Sequence, residues 1–107
     1  MKTTLISGPQ GAGKTKLLSL LCPKNHAYTF LEICNTSVFE VKKIIAKNQP
    51  NNLLLIDEVF PDYRINTIKE VLKDEDINLV FVSNDHASLF VDEKIYFDNV
   101  FRLSYEI

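Results

Sequence analysis

Apolar residues in this chain gather in short blocks, and between the blocks they recur every three or four positions. Thr3-Thr4-Leu5-Ile6-Ser7 predicts a short buried strand. Ala27 to Ile33, rich in aromatic and branched residues, predicts a second. Leu53-Leu54-Leu55-Ile56 and Leu79-Val80-Phe81-Val82 are uninterrupted, which suits strands covered on both faces, as in a parallel sheet. Val100 to Ile107 alternates apolar and polar positions and predicts a last, half-exposed strand. The stretch Lys94 to Phe97 fits either a short strand or a loop.

Helical spacing fills the intervals. Lys14 to Cys22 predicts a helix whose stretch Lys16 to Leu21 is apolar nearly all round, which suggests burial against a sheet, and Pro23 ends it. Ser37-Val38-Phe39-Glu40 matches a capping box, followed by Val41, Ile44 and Ile45 at helical spacing. Asn48 to Asn52 makes a polar loop around Pro50. Pro61 is suited to open the next helix, with Ile65, Ile68, Val71 and Leu72 on one face. Lys73 to Asp76 is a charged turn, and Asp85 is suited to cap a short helix reaching Phe90. The alternation β-α-β-α-β-α-β-(α)-β predicts one α/β domain over residues 1–107, a parallel sheet with helices on both faces. Right-handed crossovers then bring every strand's C-terminal end to one edge.

Composition narrows the class. Forty-six per cent apolar and 24% charged residues in 107 describe an ordinary globular domain. A net charge of −2 supplies no basic surface, so charge alone makes no case for nucleic acid. Met1-Lys2-Thr3-Thr4 leads directly into a strand, which predicts no signal peptide and a cytoplasmic protein. No apolar run approaches the 18 residues of a membrane span. Cys22 and Cys34 form no C-x-x-C pair, and with His26 they make only a loose cluster, so ordinary reduced thiols are expected. Lys42, Lys43 and Lys47 read as a solvated helix face.

The edge where the strands end carries the chemistry. Gly8-Pro9-Gln10-Gly11-Ala12-Gly13-Lys14-Thr15 fits G-x-x-x-x-G-K-[ST], and its three glycines are all that the chain has. Such a loop lets the backbone approach phosphate oxygens, and its amides form an anion nest at the start of a helix. Lys14 would add a charge between the β- and γ-phosphates, and the Thr15 hydroxyl would ligate Mg²⁺. Gly8, Pro9, Gln10, Gly11, Ala12, Gly13, Lys14, Thr15 and Lys16 are therefore the candidate nucleotide-binding residues. The second motif is Leu53-Leu54-Leu55-Ile56-Asp57-Glu58. Asp57 is placed to hold Mg²⁺ opposite Thr15, and Glu58 to orient or deprotonate a water attacking the γ-phosphate. Asn84, after the fourth strand, offers an amide to the γ-phosphate or to that water.

Gly-Pro-Gln-Gly-Ala-Gly-Lys-Thr, Leu-Leu-Leu-Ile-Asp-Glu and Val-Ser-Asn together resemble the Walker A, Walker B and sensor 1 elements of P-loop NTPases, most closely the AAA+ ATPases. One strand–helix unit separates the first two motifs, and another separates the second from the third. The resemblance implies a three-layer αβα fold with a five-stranded parallel sheet in the order 5-1-4-3-2. It implies phosphate binding by Lys14, Mg²⁺ coordination by Thr15 and Asp57, water activation by Glu58 and γ-phosphate sensing by Asn84. ATP and Mg²⁺ are the implied ligands, since the chain has no N-K-x-D motif and Phe60 stands where a D-x-x-G switch needs glycine.

The departures shape the functional reading. AAA+ proteins have a helical lid with a sensor 2 arginine, and the sequence ends at Ile107, at the expected last core strand. Arg64 and Arg102 are the only arginines, and Arg102 falls within an apparent strand, which suits a structural or solvated role. An arginine finger contributes 10³–10⁵ in rate, so intact binding with slow isolated turnover is expected. The leading reading is an ATPase whose nucleotide state is coupled to a protein or nucleic-acid partner, or whose site a second copy completes. A non-hydrolysing switch or scaffold and a small-molecule kinase are the alternatives.

Overall fold

The computed structural model describes residues 1–21, 27–47 and 52–104. Five strands run in the order expected along the chain: β1 (Lys2–Ser7), β2 (Ala27–Thr29), β3 (Leu53–Asp57), β4 (Asn78–Ser83) and β5 (Asn99–Arg102). Between them lie α1 (Lys14–Leu21), α2 (Phe30–Cys34), α3 (Val38–Lys47), α4 (Arg64–Val71) and α5 (Ala87–Asp92). All pairings are parallel. The sheet order is β2-β3-β4-β1-β5, which counted from the β5 edge reads 5-1-4-3-2. β4 therefore separates β1 from β3, and the ends of these three strands sit side by side.

Register fixes which side chains share a face. Leu5 is opposite Phe81, and Ile6 is opposite Val82. Leu5, Leu54, Ile56, Leu79 and Phe81 join Phe30, Ile33, Val41, Ile45, Ile65 and Phe90 in one cluster, so α2, α3, α4 and α5 cover that face. Ile6, Leu55 and Val82 join Leu18 in a second, smaller cluster, with Leu17 and Leu103 packed against it, so α1 covers the other. Fully burying one such large apolar side chain contributes about 1.5–3 kcal/mol. The strands are thus apolar on both faces because both faces are covered. β5 is the exception: its outer edge pairs with nothing described, and all four of its residues are exposed.

Several boundaries depart from the sequence reading. The second strand stops at Thr29, and residues 30–34 are helical. The cause is a capping box: the Thr29 hydroxyl accepts the Glu32 amide at 3.2 Å, and the Glu32 carboxylate accepts the Thr29 amide at 3.0 Å. Pro61 does not open α4. That helix begins at Arg64, whose amide donates to the Asp62 carboxylate at 2.8 Å, so Asp62 sets the start. Val71 faces outward, whereas Ile65 and Leu72 are buried. His86, not Asp85, caps α5 by accepting the Ser88 amide on its Nδ1 at 3.1 Å. Residues 94–97 form no strand, though Ile95 is fully buried. The final strand is shorter than expected, ending at Arg102. Cys22, Pro23 and His26, the loop positions 48–51 and positions 105–107 lie outside the described residues.

Among the described residues, no helix is long and apolar enough to cross a membrane.

Candidate functional site

The glycine loop connects β1 to α1, and its glycines do different jobs. Gly11 and Gly13 have φ of 85° and 94°, the left-handed region in which a Cβ is strained. Their conformation folds the loop over itself: the Ala12 amide donates to the Pro9 carbonyl at 3.1 Å. The Leu17 amide donates to the Gly13 carbonyl at 2.9 Å and so begins the helical ladder. Gly8 is needed for space. A Cβ there would lie 2.7 Å from the Leu103 carbonyl oxygen, where the chain beyond β5 crosses the end of β1. Leu103 is held in place by its own amide, which donates to the Ser7 carbonyl at 2.7 Å.

Lys14, the first residue of α1, is turned back into the loop. Its ammonium donates to the Gly8 carbonyl at 2.5 Å and to the Pro9 carbonyl at 2.8 Å. Burial pushes its pKa below the ordinary lysine value, an effect partly opposed by the Asp57 carboxylate. The site thus holds a desolvated cation whose present partners are neutral carbonyls. Removing that mismatch favours an anion in the loop.

Asp57 ends β3 on the face that α1 covers, because Leu55, two residues earlier, packs in the α1 cluster. Its Oδ1 accepts the Glu58 amide at 2.7 Å. Glu58 has φ of 54°, an uncommon conformation for a side chain of this kind. Non-glycine residues in that region cost about 1–3 kcal/mol and persist where the surroundings fix them. Here the surroundings are the return of the chain to the sheet: the Val59 amide donates to the Val82 carbonyl at 2.9 Å, and Val59 is buried. The turn leaves the Glu58 carboxylate exposed at the strand edge.

Asn84 follows β4 and is also exposed. The backbone around it is fixed by two serines that sequence reasoning did not single out. Ser83 Oγ donates to the Val59 carbonyl at 2.5 Å and accepts the Asp85 amide at 3.0 Å. Ser7 Oγ donates to the Asp85 carbonyl at 2.7 Å. Both serines are almost fully buried, at 2% and 1% exposure for Ser7 and Ser83. Their signal in the sequence was a small hydroxyl residue ending each of two adjacent apolar strands.

These pieces open onto one cleft of about 500 Å³, lined by Gln10, Gly11, Gly13, Lys14, Thr15, Lys16, Asp57, Glu58, Val82 and Asn84. Every candidate from the three motifs lines it except Gly8, Pro9 and Ala12. Gly8 and Pro9 support Lys14 from behind, and Ala12 bonds back to Pro9. Thr15 and Asp57 bring a hydroxyl and a carboxylate to the cleft, hard oxygen donors of the kind that suits Mg²⁺. Among the described residues no group of three or more His, Cys, Asp or Glu is placed to hold a metal by itself. Such sparse protein ligation is what Mg²⁺ takes when substrate phosphates and water complete its shell.

No arginine lines the cleft. Arg64 makes two hydrogen bonds to Asp62, each 3.0 Å, and lies over the Phe30 ring. Arg102 is exposed at the end of β5, in register with Ser7. A separate groove between α2, α3 and α4, lined by Ile33, Val41, Ile68 and others, contains none of the candidate residues. Cys34 borders that groove as a free thiol, its pKa raised mainly by burial. No protein-family model matches this chain, and no curated protein is similar enough to it to count as a relative.

Proposed function

We propose that this protein is a P-loop NTPase of the AAA+ kind that binds ATP with Mg²⁺ and hydrolyses the β–γ phosphoanhydride. The single observation that carries the reading is the shared cleft: Gln10, Gly11 and Gly13 of the glycine loop line one space with Lys14, Thr15, Asp57, Glu58 and Asn84. The position of β4 between β1 and β3 supports it further, because that order puts Asn84 between the loop and the acidic pair. On this reading the sheet and its two covered faces form the three-layer αβα core of the class.

Each residue has a part that follows from its chemistry. The loop amides at Gly11 and Gly13 and the Lys14 ammonium would bind the β- and γ-phosphates, with Lys14 exchanging its carbonyl partners for phosphate oxygens. Thr15 and Asp57 would hold Mg²⁺, which would neutralise charge on the phosphates when bound. Glu58 would accept a proton from the attacking water and orient it. The Asn84 amide would donate to the γ-phosphate or fix the water.

The lack of an arginine in the cleft favours a second reading, a nucleotide-dependent switch that binds ATP and rarely cleaves it. The two readings share the site and differ in turnover. A protein partner, or a second copy supplying a cation, would complete the site in the first; the net charge of −2 gives nucleic acid no support as that partner.

Calorimetric titration of ATP in the presence of Mg²⁺ tests the shared part. Saturable binding that Lys14→Ala weakens by one to two orders of magnitude is expected. Absence of binding to the wild-type protein at millimolar ATP would refute both readings.

A further inference from the structure

The hydroxyls of Ser7 and Ser83 form a link across the three strand ends that no motif accounts for. The two residues are register partners on adjacent strands, and both point to the face opposite α1. Ser83 Oγ reaches sideways to the Val59 carbonyl and forward to the Asp85 amide. Ser7 Oγ takes the other side of the same residue, the Asp85 carbonyl. Asp85 is thereby held at both its amide and its carbonyl.

The anchored Val59 and Asp85 adjoin residues that line the cleft, and Ser7 adjoins the start of the glycine loop. Val59 follows Glu58, Asp85 follows Asn84, and Ser7 precedes Gly8. Backbone bonds complete the tie: the Gly8 amide donates to the Ser83 carbonyl at 3.2 Å, and the Val59 amide to the Val82 carbonyl at 2.9 Å. The serines touch nothing in the cleft themselves. The bond from Ser83 to the Val59 carbonyl is buried, so losing that hydroxyl leaves the carbonyl without its partner and away from water, whereas the bonds to Asp85 are partly buried and act by fixing its position.

We propose that Ser7 and Ser83 are positioning residues that set the Glu58 carboxylate and the Asn84 amide at a fixed distance from the glycine loop. This rests on the ATPase reading above and adds a prediction that the motifs do not make. Phosphate binding belongs to the loop and Lys14, which the serines do not hold by their hydroxyls. Water activation belongs to the two turns that they do hold. Removing a hydroxyl therefore lowers turnover and leaves nucleotide affinity in place. Misplacement of a catalytic group by about 1 Å is enough to cost 10²-fold in rate.

The test compares Ser83→Ala, Ser7→Ala and Ser7→Thr with Glu58→Gln and with Ile45→Val, a core truncation in α3 remote from the strand ends. Steady-state ATP hydrolysis gives kcat and KM, and amide hydrogen exchange reads Glu58, Val59 and Asp85 directly. The expected result is a fall of at least about tenfold in kcat for both alanine variants, with KM within about twofold of wild type. Faster exchange at Val59 and Asp85 accompanies it. Ser7→Thr, which keeps the hydroxyl, recovers turnover, and Ile45→Val keeps wild-type kcat despite lower stability. Wild-type kcat in both alanine variants would overturn the proposal, as would an equal loss in Ile45→Val. The ATPase reading fails separately, if wild type and Glu58→Gln release phosphate alike, and the positioning role falls with it. Where an alanine variant does not fold, the Ser7→Thr rate and the exchange at Asp85 in the remaining variant decide the same question.

Discussion

The Lys14 ammonium donates to the Gly8 carbonyl oxygen at 2.5 Å, closing the glycine loop on itself. With the second bond to Pro9, the lysine's charge is directed into the loop and away from solvent. A bound phosphate would compete with two neutral carbonyls for it, and a charged acceptor wins that competition.

Lys14→Ala is therefore expected to weaken ATP binding by one to two orders of magnitude, since a hydrogen bond between charged groups contributes about 1.5–3 kcal/mol. The measurement is thermal stability with and without Mg·ATP. Wild type should shift upward with ligand concentration, and the variant should need one to two orders of magnitude more ligand for the same shift. An equal shift in both would remove Lys14 from the site.

Gly8 and Gly13 should respond to alanine for different reasons. At Gly8 the new Cβ meets the Leu103 carbonyl at 2.7 Å, so Gly8→Ala must displace the segment after β5. At Gly13 nothing lies within 4 Å, and the cost comes from φ of 94° alone. Both should lose about 1–3 kcal/mol in urea denaturation. Only Gly8→Ala should also speed hydrogen exchange of the Leu103 amide, which bonds to Ser7.

Asp98 gives the acid limb of stability a specific source. Its carboxylate accepts the Thr3 amide at 2.8 Å and the Thr3 hydroxyl at 3.2 Å, tying the start of β5 to β1. The amide bond, first among these, holds its pKa below the ordinary carboxylate value. A depressed folded pKa stabilises the fold above the unfolded value of about 3.9 and loses that contribution as pH falls through the folded one. Asp98→Asn should therefore unfold at lower urea than wild type near neutrality. The gap should narrow as the pH falls below about 4. A gap independent of pH would contradict the assignment.

Much of this arrangement could be read from the sequence because its signals are local. Each apolar block that ends in Ser7, Asp57 or Ser83 is a strand, and uninterrupted apolarity reported strands covered on both faces. The glycine loop, Asp57, Glu58 and Asn84 were legible as residue types at strand ends, and the three acidic and amide residues line one cleft with Gln10, Gly11 and Gly13 of the loop.

The misreadings came where two local signals competed. Phe30 to Ile33 looks like strand by composition, but the Thr29–Glu32 capping box and burial of Phe30 and Ile33 on one face make it helix. Pro61 and Asp85 were plausible helix openers. Asp62 captured the first amide of α4, and the Asp85 backbone was already engaged by Ser7 and Ser83, leaving His86 to cap α5. The serine link itself was invisible, because it depends on β4 lying beside β1, a long-range pairing that no local pattern specifies.

The central claim is that one cleft binds Mg·ATP and that Glu58 activates water within it. The most direct measurement is phosphate release from Mg·ATP by wild type and Glu58→Gln across a range of protein concentrations, with ATP affinity measured on both. The account predicts slow release by wild type, rising with concentration if a second copy completes the site. It predicts none above background from Glu58→Gln, which should bind ATP as tightly as wild type. Equal release from the two proteins, or no ATP binding by either, would contradict it.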